Sequence, residues 1–206
     1  MPCDAAMNTI EELALAFTRF PGIGPRQGKR FVYYLLAAPA LERTKLAELI
    51  VSLGKDVRQC PLCLRFHNGD TEAACKYCSD AARDDTQLML VEKDQDLLAL
   101  ERAGTYHGRY FVLGGVLTLS GKGVFREREL VDAVLKRLES GLEEIVLALS
   151  ATSEGEHTAD RVRQLLAPYH DRLRISTLGR GLATGSELEY SDAETLRAAL
   201  AGRKEI

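Results

Sequence analysis

Two Cys-x-x-Cys pairs, Cys60-Pro-Leu-Cys63 and Cys75-Lys-Tyr-Cys78, are separated by eleven residues within a stretch, 58–80, that has little apolar content of its own. A piece that short and that polar cannot bury enough surface to hold itself together. Two thiolate pairs on two tight turns can instead close a tetrahedron around one Zn²⁺. Four buried structural thiols without an ion are the plainer alternative. With every position filled by sulfur no site is left for water, so the expected zinc is structural rather than catalytic. His67 lies between the pairs and is expected to be a loop residue, because a fifth ligand is unnecessary.

Cysteines used as ligands rather than disulfides belong to reducing surroundings, and the fifth, Cys3, is expected to be a spare. No apolar run approaches the roughly 18 residues that cross a bilayer, and the opening MPCDAAMNTIEEL has an acid where a secretory leader carries cations. The expectation is a cytoplasmic chain with no membrane association. With 206 residues, 46% hydrophobic and 28% charged, it has the material for one good core or two small ones.

The regular elements follow from periodicity. Thr9 and Glu12 form a capping box ahead of Ile10, Leu13, Ala14 and Phe17, which predicts a first helix to about Arg19. A second helix starts near Pro25 and is expected to bury Phe31, Val32, Leu35 and Leu36 before Pro39. A third carries Leu46, Leu49, Ile50, Leu53 and Val57 on one stripe. From Thr86 onward short apolar runs (87–91, 109–115, 143–150, 172–179) alternate with helical stretches (94–104, 127–139, 156–167). Fully apolar strands alternating with helices predict a parallel α/β sheet covered on both faces. The tail adds a possible strand at Glu187–Tyr190 and a helix opened by the pair Ser191 and Glu194. The domains expected are a helical hairpin (1–57), a four-cysteine finger (58–80), an α/β domain (81–178) and a C-terminal strand and helix (179–206).

Charge is distributed unevenly. Residues 19–58 hold eight Lys/Arg against three acids, a net of +5 within a chain of net −3, so the remainder stands at −8. In that basic segment the turn Phe20-Pro-Gly-Ile-Gly-Pro25 leads into Arg26, Lys29 and Arg30. Gly22 and Gly24 are expected to allow positive φ and a close approach of backbone to phosphate, with the second helix aiming its unpaired N–H groups at the anion. Arg26 and Arg30, four apart, leave the same helix face with Lys29 beside them. The alternative is an αα-corner with a solvated basic face. One such unit touches few phosphates, so binding by a single copy should be weak and salt-sensitive, and several copies in one assembly would be needed.

The two helices with their Pro-Gly-Ile-Gly-Pro turn resemble a helix-hairpin-helix element, which binds nucleic-acid backbone without reading sequence. The run Leu88–Glu92 and the later Ser150-Ala-Thr-Ser-Glu154-Gly-Glu156 resemble the Toprim domain of topoisomerases, primases and some nucleases. In catalytic members the resemblance implies a glutamate, matched by Glu92, and an Asp-x-Asp pair that holds Mg²⁺. Here those positions are Ser150 and Thr152, neutral hydroxyls that cannot supply the charge a hard cation needs. The stretch Gly115–Gly123 looks like a phosphate loop but has glycine where a Ser/Thr should meet Mg²⁺, and is expected to be a connecting loop. His107, His157 and His170 are scattered and carry no nucleophile motif.

Taken in order, the hairpin, the four cysteines, VEKDQDLLALERAGTYHGRYFVLGG, SEGEHTA and GRGLATGSELEYSDAETLRAAL are similar to the RecR family of bacterial recombination mediators across nearly the whole chain. The resemblance implies a homotetrameric ring or clamp on DNA, a zinc finger, a Toprim domain without catalysis, and partnership with RecO and RecF in loading recombinase at gaps during repair. By position it implies DNA contacts at Arg26 and Arg30, beside the Gly22, Gly24 and Lys29 expected at the phosphate from the turn itself, zinc at Cys60, Cys63, Cys75 and Cys78, and partner docking at Glu92, Glu154 and Glu156. Departures fall in the loops: Ser150–Ser153 replaces an Asn-Pro-Thr type turn, and Arg180 and Ala183 replace a common His and Pro. A Toprim-type metal-dependent nuclease or primase, and a zinc-stabilised protein-interaction module, are the competing readings.

Overall fold

In the computed structural model, which describes residues 8–70, 73–120 and 123–203, the chain starts its first helix at an asparagine. Asn8 caps α1 (Thr9–Phe17) by accepting the Glu11 N–H on its side-chain oxygen at 3.0 Å, so the cap lies one residue before the expected Thr9. Both side chains are capping types, and geometry selected the earlier one. Residues 18–24 turn the chain into α2 (Pro25–Ala37), and α3 (Ala40–Asp56) follows after Pro39. Cys3, the expected spare, lies outside the described residues, as do Gly121 and Lys122 of the Gly115–Gly123 stretch.

These helices belong to one of two compact units, Met1–Val57 and Arg58–Ile206. In the first, α1 and α2 meet at Gly28, where a Cβ would stand 2.6 Å from the Ala14 carbonyl oxygen, so only glycine lets the two backbones come this close. The Phe17 and Phe31 rings meet edge to face with centroids 5.6 Å apart. Of the four apolar residues expected to be buried on α2 only Val32 is; Phe31 and Leu36 stay 41% and 57% exposed. The single α1–α2 seam is narrower than the apolar stripe, so it covers one row of side chains. Leu46, Leu49, Ile50 and Leu53 of the expected stripe lie on α3, which buries no residue and leaves Leu49, Ile50 and Leu53 each more than half exposed, whereas Val57 is corrected to the first residue of a strand, because the backbone turns extended after Asp56. Arg43, counted with the basic segment, donates to the Leu35 and Ala38 carbonyls and closes the end of α2.

From the last residue of the first unit into the second runs a small ribbon, β1 (Val57–Gln59) paired with β2 (Phe66–Asn68), which carries the first cysteine pair in its turn. His67 therefore lies on a strand rather than in a loop. Then come β3 (Asp84–Val91), α4 (Asp94–Ala103), β4 (Gly108–Val112), α5 (Glu127–Glu139), β5 (Glu144–Ala148), α6 (Ser153–Leu166) and β6 (Arg174–Thr177). The four longer strands form one parallel sheet in the order β4-β3-β5-β6, with Met89 beside both Tyr110 and Val146.

Alternation along each strand sorts side chains to two faces. Leu88, Leu90, Phe111, Ile145 and Leu147 meet Leu130 and Val134 of α5 and Val162 and Leu166 of α6. Met89, Val91, Tyr110, Val112 and Ala148 meet Leu97 of α4 together with Cys60, Cys63, Cys75 and Tyr77. The sheet is covered on both faces as expected, but half of one cover is the cysteine segment, which shares a core with the sheet.

Three later details differ from expectation. Helix α6 begins at Ser153, three residues earlier than its apolar period suggested, because Thr152 accepts the Gly155 N–H at 3.1 Å and caps it. In the tail, Leu188–Tyr190 makes a single 3₁₀ turn instead of a strand, since no strand of the sheet lies beside it to supply a ladder. The last helix, α7 (Ala193–Ala201), is capped by Asp192, which accepts from Glu194 and Thr195, and not by Ser191. Among the described residues no helix is long and apolar enough to cross a membrane.

Candidate metal centre and nucleic-acid interface

Each cysteine pair is held by its own turn. Leu64 donates to the Cys60 carbonyl at 2.9 Å, and Cys78 and Ser79 donate to the Cys75 carbonyl at 2.8 and 2.9 Å. The two turns face each other, and the four sulfurs lie within 4.8 Å of one another. Cys63 and Cys75 bring their sulfurs to 3.6 Å, and sulfurs in tetrahedral order about 2.3 Å from a central zinc lie about 3.8 Å apart. The backbone N–H of Cys75 points at the Cys60 sulfur at 3.3 Å. Hydrogen bonding from the Cys63 thiol, then from Cys75 and Cys78, holds Cys60 far below the usual thiol range, and the same Cys60–Cys63 contact pushes Cys63 up. A bound divalent cation would take all four sulfurs as thiolates. Donor type, spacing and burial fit a metal ion. Among the described residues no other group of three or more His, Cys, Asp or Glu side chains could hold one.

Residues far from the cysteines in sequence seat both turns on the sheet edge. The Val112 amide of β4 donates to the Cys63 carbonyl at 2.8 Å, and Arg126 donates to the Leu64 and Val112 carbonyls at 3.0 and 2.8 Å. Leu64, with φ +60, sits in the left-handed region that turns the chain out of the first pair. Arg109 of β4 donates to the Tyr77 and Cys78 carbonyls and to Asp85. The Tyr77 ring has the guanidinium carbons of Arg65 and Arg83 4.8 and 4.9 Å from its centroid. Sequence reasoning passed over Arg109, Arg126 and Arg83. The available signal was an arginine opening the apolar run RYFVLGG, since a charge buried in such a strand must have partners.

In the helical unit the turn before α2 rests on one glycine in the left-handed region. Gly22 has φ +77, which favours glycine, whereas Gly24 has φ −85 and is ordinary extended backbone at the helix cap. The expectation of positive φ at both is corrected to Gly22 alone. Gln27 reaches back to accept the Gly24 N–H at 3.1 Å, and the first-turn amides of Arg26 and Gln27 are left without a helical acceptor. Arg26, Lys29 and Arg30 are all exposed, and no ion pair joins them to an acid among the described residues. The arrangement is a small cationic surface at the open end of a helix, suited to a phosphate.

The third set of residues lies where β3 and β5 end side by side. Strands β4 and β5 flank β3, so the chain changes direction at this point and leaves a crevice beyond the strand ends. Glu92 enters it from β3 and accepts the Ser150 hydroxyl at 3.1 Å. Lys93 stands 3.9 Å from the other Glu92 oxygen. Thr152 is spent as the α6 cap, and the early start of α6 puts Glu154 and Glu156 in its first turn, where acids complement the helix dipole. Glu156 is ion-paired to Arg180, one of the residues at which this chain departs from the RecR pattern. The three glutamates do not converge on a common point that could take a cation.

Comparison with known proteins agrees with this layout. The Toprim domain family matches residues 86–178, and the family described as RecR, C-terminal, matches residues 181–204. The "Recombination protein RecR" of Bifidobacterium longum is 39% identical over 198 residues, covering 95% of this chain and 96% of that protein. Its namesake in Magnetococcus marinus is 37% identical over 203 residues, 98% of each chain. That of Ligilactobacillus salivarius is 34% identical over 200 residues, 96% of this chain and 97% of the other.

Proposed function

The chain belongs to the RecR family of recombination proteins, and from that premise we propose that it is a non-enzymatic DNA-binding mediator of recombinational repair. The observation that carries the reading is the exposed trio Arg26, Lys29 and Arg30 at the open end of α2, following the Gly22 turn. Arginine and lysine on a helix N-terminus meet phosphate oxygens and leave bases unread, so the binding is sequence-independent.

The metal is zinc, one per chain, held by Cys60, Cys63, Cys75 and Cys78. Four sulfurs leave no open coordination position, so the ion braces the fold and takes no part in a reaction. The chain works in the cytoplasm, where reducing conditions keep such ligands as thiols.

Assembly into a tetrameric ring or clamp accounts for two features. The apolar stripe of α3 and the tail residues Leu188, Tyr190 and Leu200 lie uncovered on the single chain. A single cationic hairpin also makes too few contacts to hold DNA, and several copies on one assembly raise the effective affinity. The acidic crevice with Glu92, Glu154 and Glu156 is the face for RecO and RecF, which would act with this protein in loading recombinase at gaps.

The nuclease or primase reading requires carboxylates at positions 150 and 152. Here Ser150 is bonded to Glu92 and Thr152 caps a helix. A module that never meets nucleic acid predicts no retention of DNA, whereas this chain places three exposed cations after the Gly22 turn. The deciding experiment is titration of labelled DNA at several salt concentrations with the wild type and with Arg26→Ala/Arg30→Ala. The variant should bind more weakly on every sequence, with a salt slope shallower by about 1 per lost phosphate contact. An unchanged titration overturns the DNA-binding reading, and metal-dependent nicking or synthesis by the purified protein overturns the non-enzymatic one.

A further inference from the structure

We infer that Arg109 is a positioning residue for the metal centre: from the edge strand of the sheet it holds the second cysteine knuckle in the geometry that the ion requires. Arg109 is 8% exposed, in a strand whose five residues are all buried. An arginine is almost never buried without a full set of partners. Its Nη1 donates to two successive carbonyls, Tyr77 at 3.0 Å and Cys78 at 3.1 Å, and its Nε donates to Asp85 at 2.6 Å. The two carbonyls belong to a ligand and to the residue before it. Fixing them fixes the peptide planes on both sides of Cys78, and with them the direction of its Cα–Cβ bond.

Cys78 is the ligand most in need of such support. The other three are fully buried, whereas Cys78 is only partly covered. The first knuckle is seated by a backbone amide, Val112 to Cys63, but nothing equivalent from β4 reaches the second; Arg109 takes that place with its side chain. A guanidinium is suited to this because its planar fork can serve several acceptors at once, which a lysine ammonium cannot do in fixed geometry. A cation beside a centre of one Zn²⁺ and four thiolates, formally −2, also offsets the charge that burial makes costly. Asp85 is 60% exposed, so its pairing with Arg109 is screened by solvent and serves to aim the guanidinium. Outer residues that orient ligands typically change metal affinity 10- to 100-fold when removed.

The inference rests on the zinc reading above, and the test separates the two. Full-length wild type, Arg109→Gln, Arg109→Lys and Glu101→Gln are loaded with one equivalent of zinc, checked by elemental analysis. Release to an excess of a chromophoric chelator is timed, and the thiolate-to-metal bands of the cobalt-substituted proteins are recorded. Glu101→Gln serves as the structural control, because it removes the Arg83–Glu101 pair beside Tyr77 and leaves the knuckle carbonyls bonded. Arg109→Gln should release zinc about tenfold faster or more with altered cobalt bands, Arg109→Lys should fall between it and the wild type, and Glu101→Gln should release at the wild-type rate even with a lower Tm. If Arg109→Gln does not fold, Arg109→Lys alone decides, with release about threefold faster supporting the role and a wild-type rate refuting it. Equal acceleration by Glu101→Gln, or no acceleration by the Arg109 variants of a zinc-loaded protein, overturns the positioning role alone. A wild type that holds no zinc overturns the zinc reading and this inference with it.

Discussion

The Ser150 hydroxyl lies 3.1 Å from a carboxylate oxygen of Glu92 where strands β3 and β5 end side by side. A neutral donor here satisfies the glutamate without adding charge. Replacing it by a second acid, Ser150→Asp, should set two carboxylates against each other. The variant is expected to lose stability at pH 7 and to recover much of it near pH 4, where one carboxyl takes up a proton. Chemical denaturation at the two pH values measures this, and an equal loss at both would show that repulsion is not the cause. Ser150→Ala, which removes only the hydrogen bond, should cost about 1 kcal/mol or less.

Gly28 and Gly24 stand four residues apart and should respond unequally to alanine. At Gly28 the new Cβ meets the Ala14 carbonyl oxygen at 2.6 Å, a backbone atom that cannot swing aside. Urea denaturation of Gly28→Ala should show a loss of about 1–3 kcal/mol, the usual cost of forcing volume into a packed seam. At Gly24 the Cβ would lie 3.5 Å from the Gln27 side chain and φ is ordinary, so Gly24→Ala should change stability by less than about 1 kcal/mol.

Metal removal should be felt across the sheet, because the cysteines share a core with Met89, Val91 and Tyr110. The chain has no tryptophan, so near-UV signals come largely from its seven tyrosines, of which Tyr77, Tyr110 and Tyr106 meet edge to face in series with centroids 6.3 and 5.1 Å apart. Chelation should change near-UV circular dichroism and lower Tm, and added zinc should reverse both. A near-UV spectrum indifferent to chelator would show that the knuckles do not brace this face.

The ion pair between Glu127 of α5 and Arg161 of α6 gives a pH dependence of known sign. Hydrogen bonding from Arg161 holds the Glu127 carboxyl below the usual range. A depressed folded-state value means that the stabilisation is fully present above the unfolded value, about 4.3, and is lost as pH falls through the folded one. Glu127→Gln should therefore melt slightly below the wild type at pH 7, and the two should converge near pH 3. A gap that persists in acid would locate the effect in packing rather than charge.

The readings that succeeded from sequence were local ones. Leu88–Val91 are buried, as are Ile145, Leu147 and Ala148 around a half-buried Val146, and so read as unbroken apolar runs, while Leu130, Val134 and Leu138 repeat with the helical period because only one face of α5 meets the sheet. The errors at Thr9 and Ser191 were one residue wide, where two neighbouring side chains could each cap and backbone geometry chose. The α3 stripe was periodic yet unburied, because periodicity tells which residues share a face and not whether anything covers it. Arg109 was invisible for a different reason: its acceptors are carbonyls 31 and 32 residues earlier, and a carbonyl has no letter in the sequence.

By itself the sequence determined the sulfur quartet, the strand and helix order and the cationic turn, because spacing of two to four residues sets which side chains share a turn or a face. The tertiary structure alone decided that the cysteine knuckles cover one face of the sheet, that Arg109 and Arg126 bond their carbonyls, and that Ser150 answers Glu92. Those relations join backbone groups and side chains that lie far apart along the chain, and their energy exists only once the fold has brought them together and excluded water.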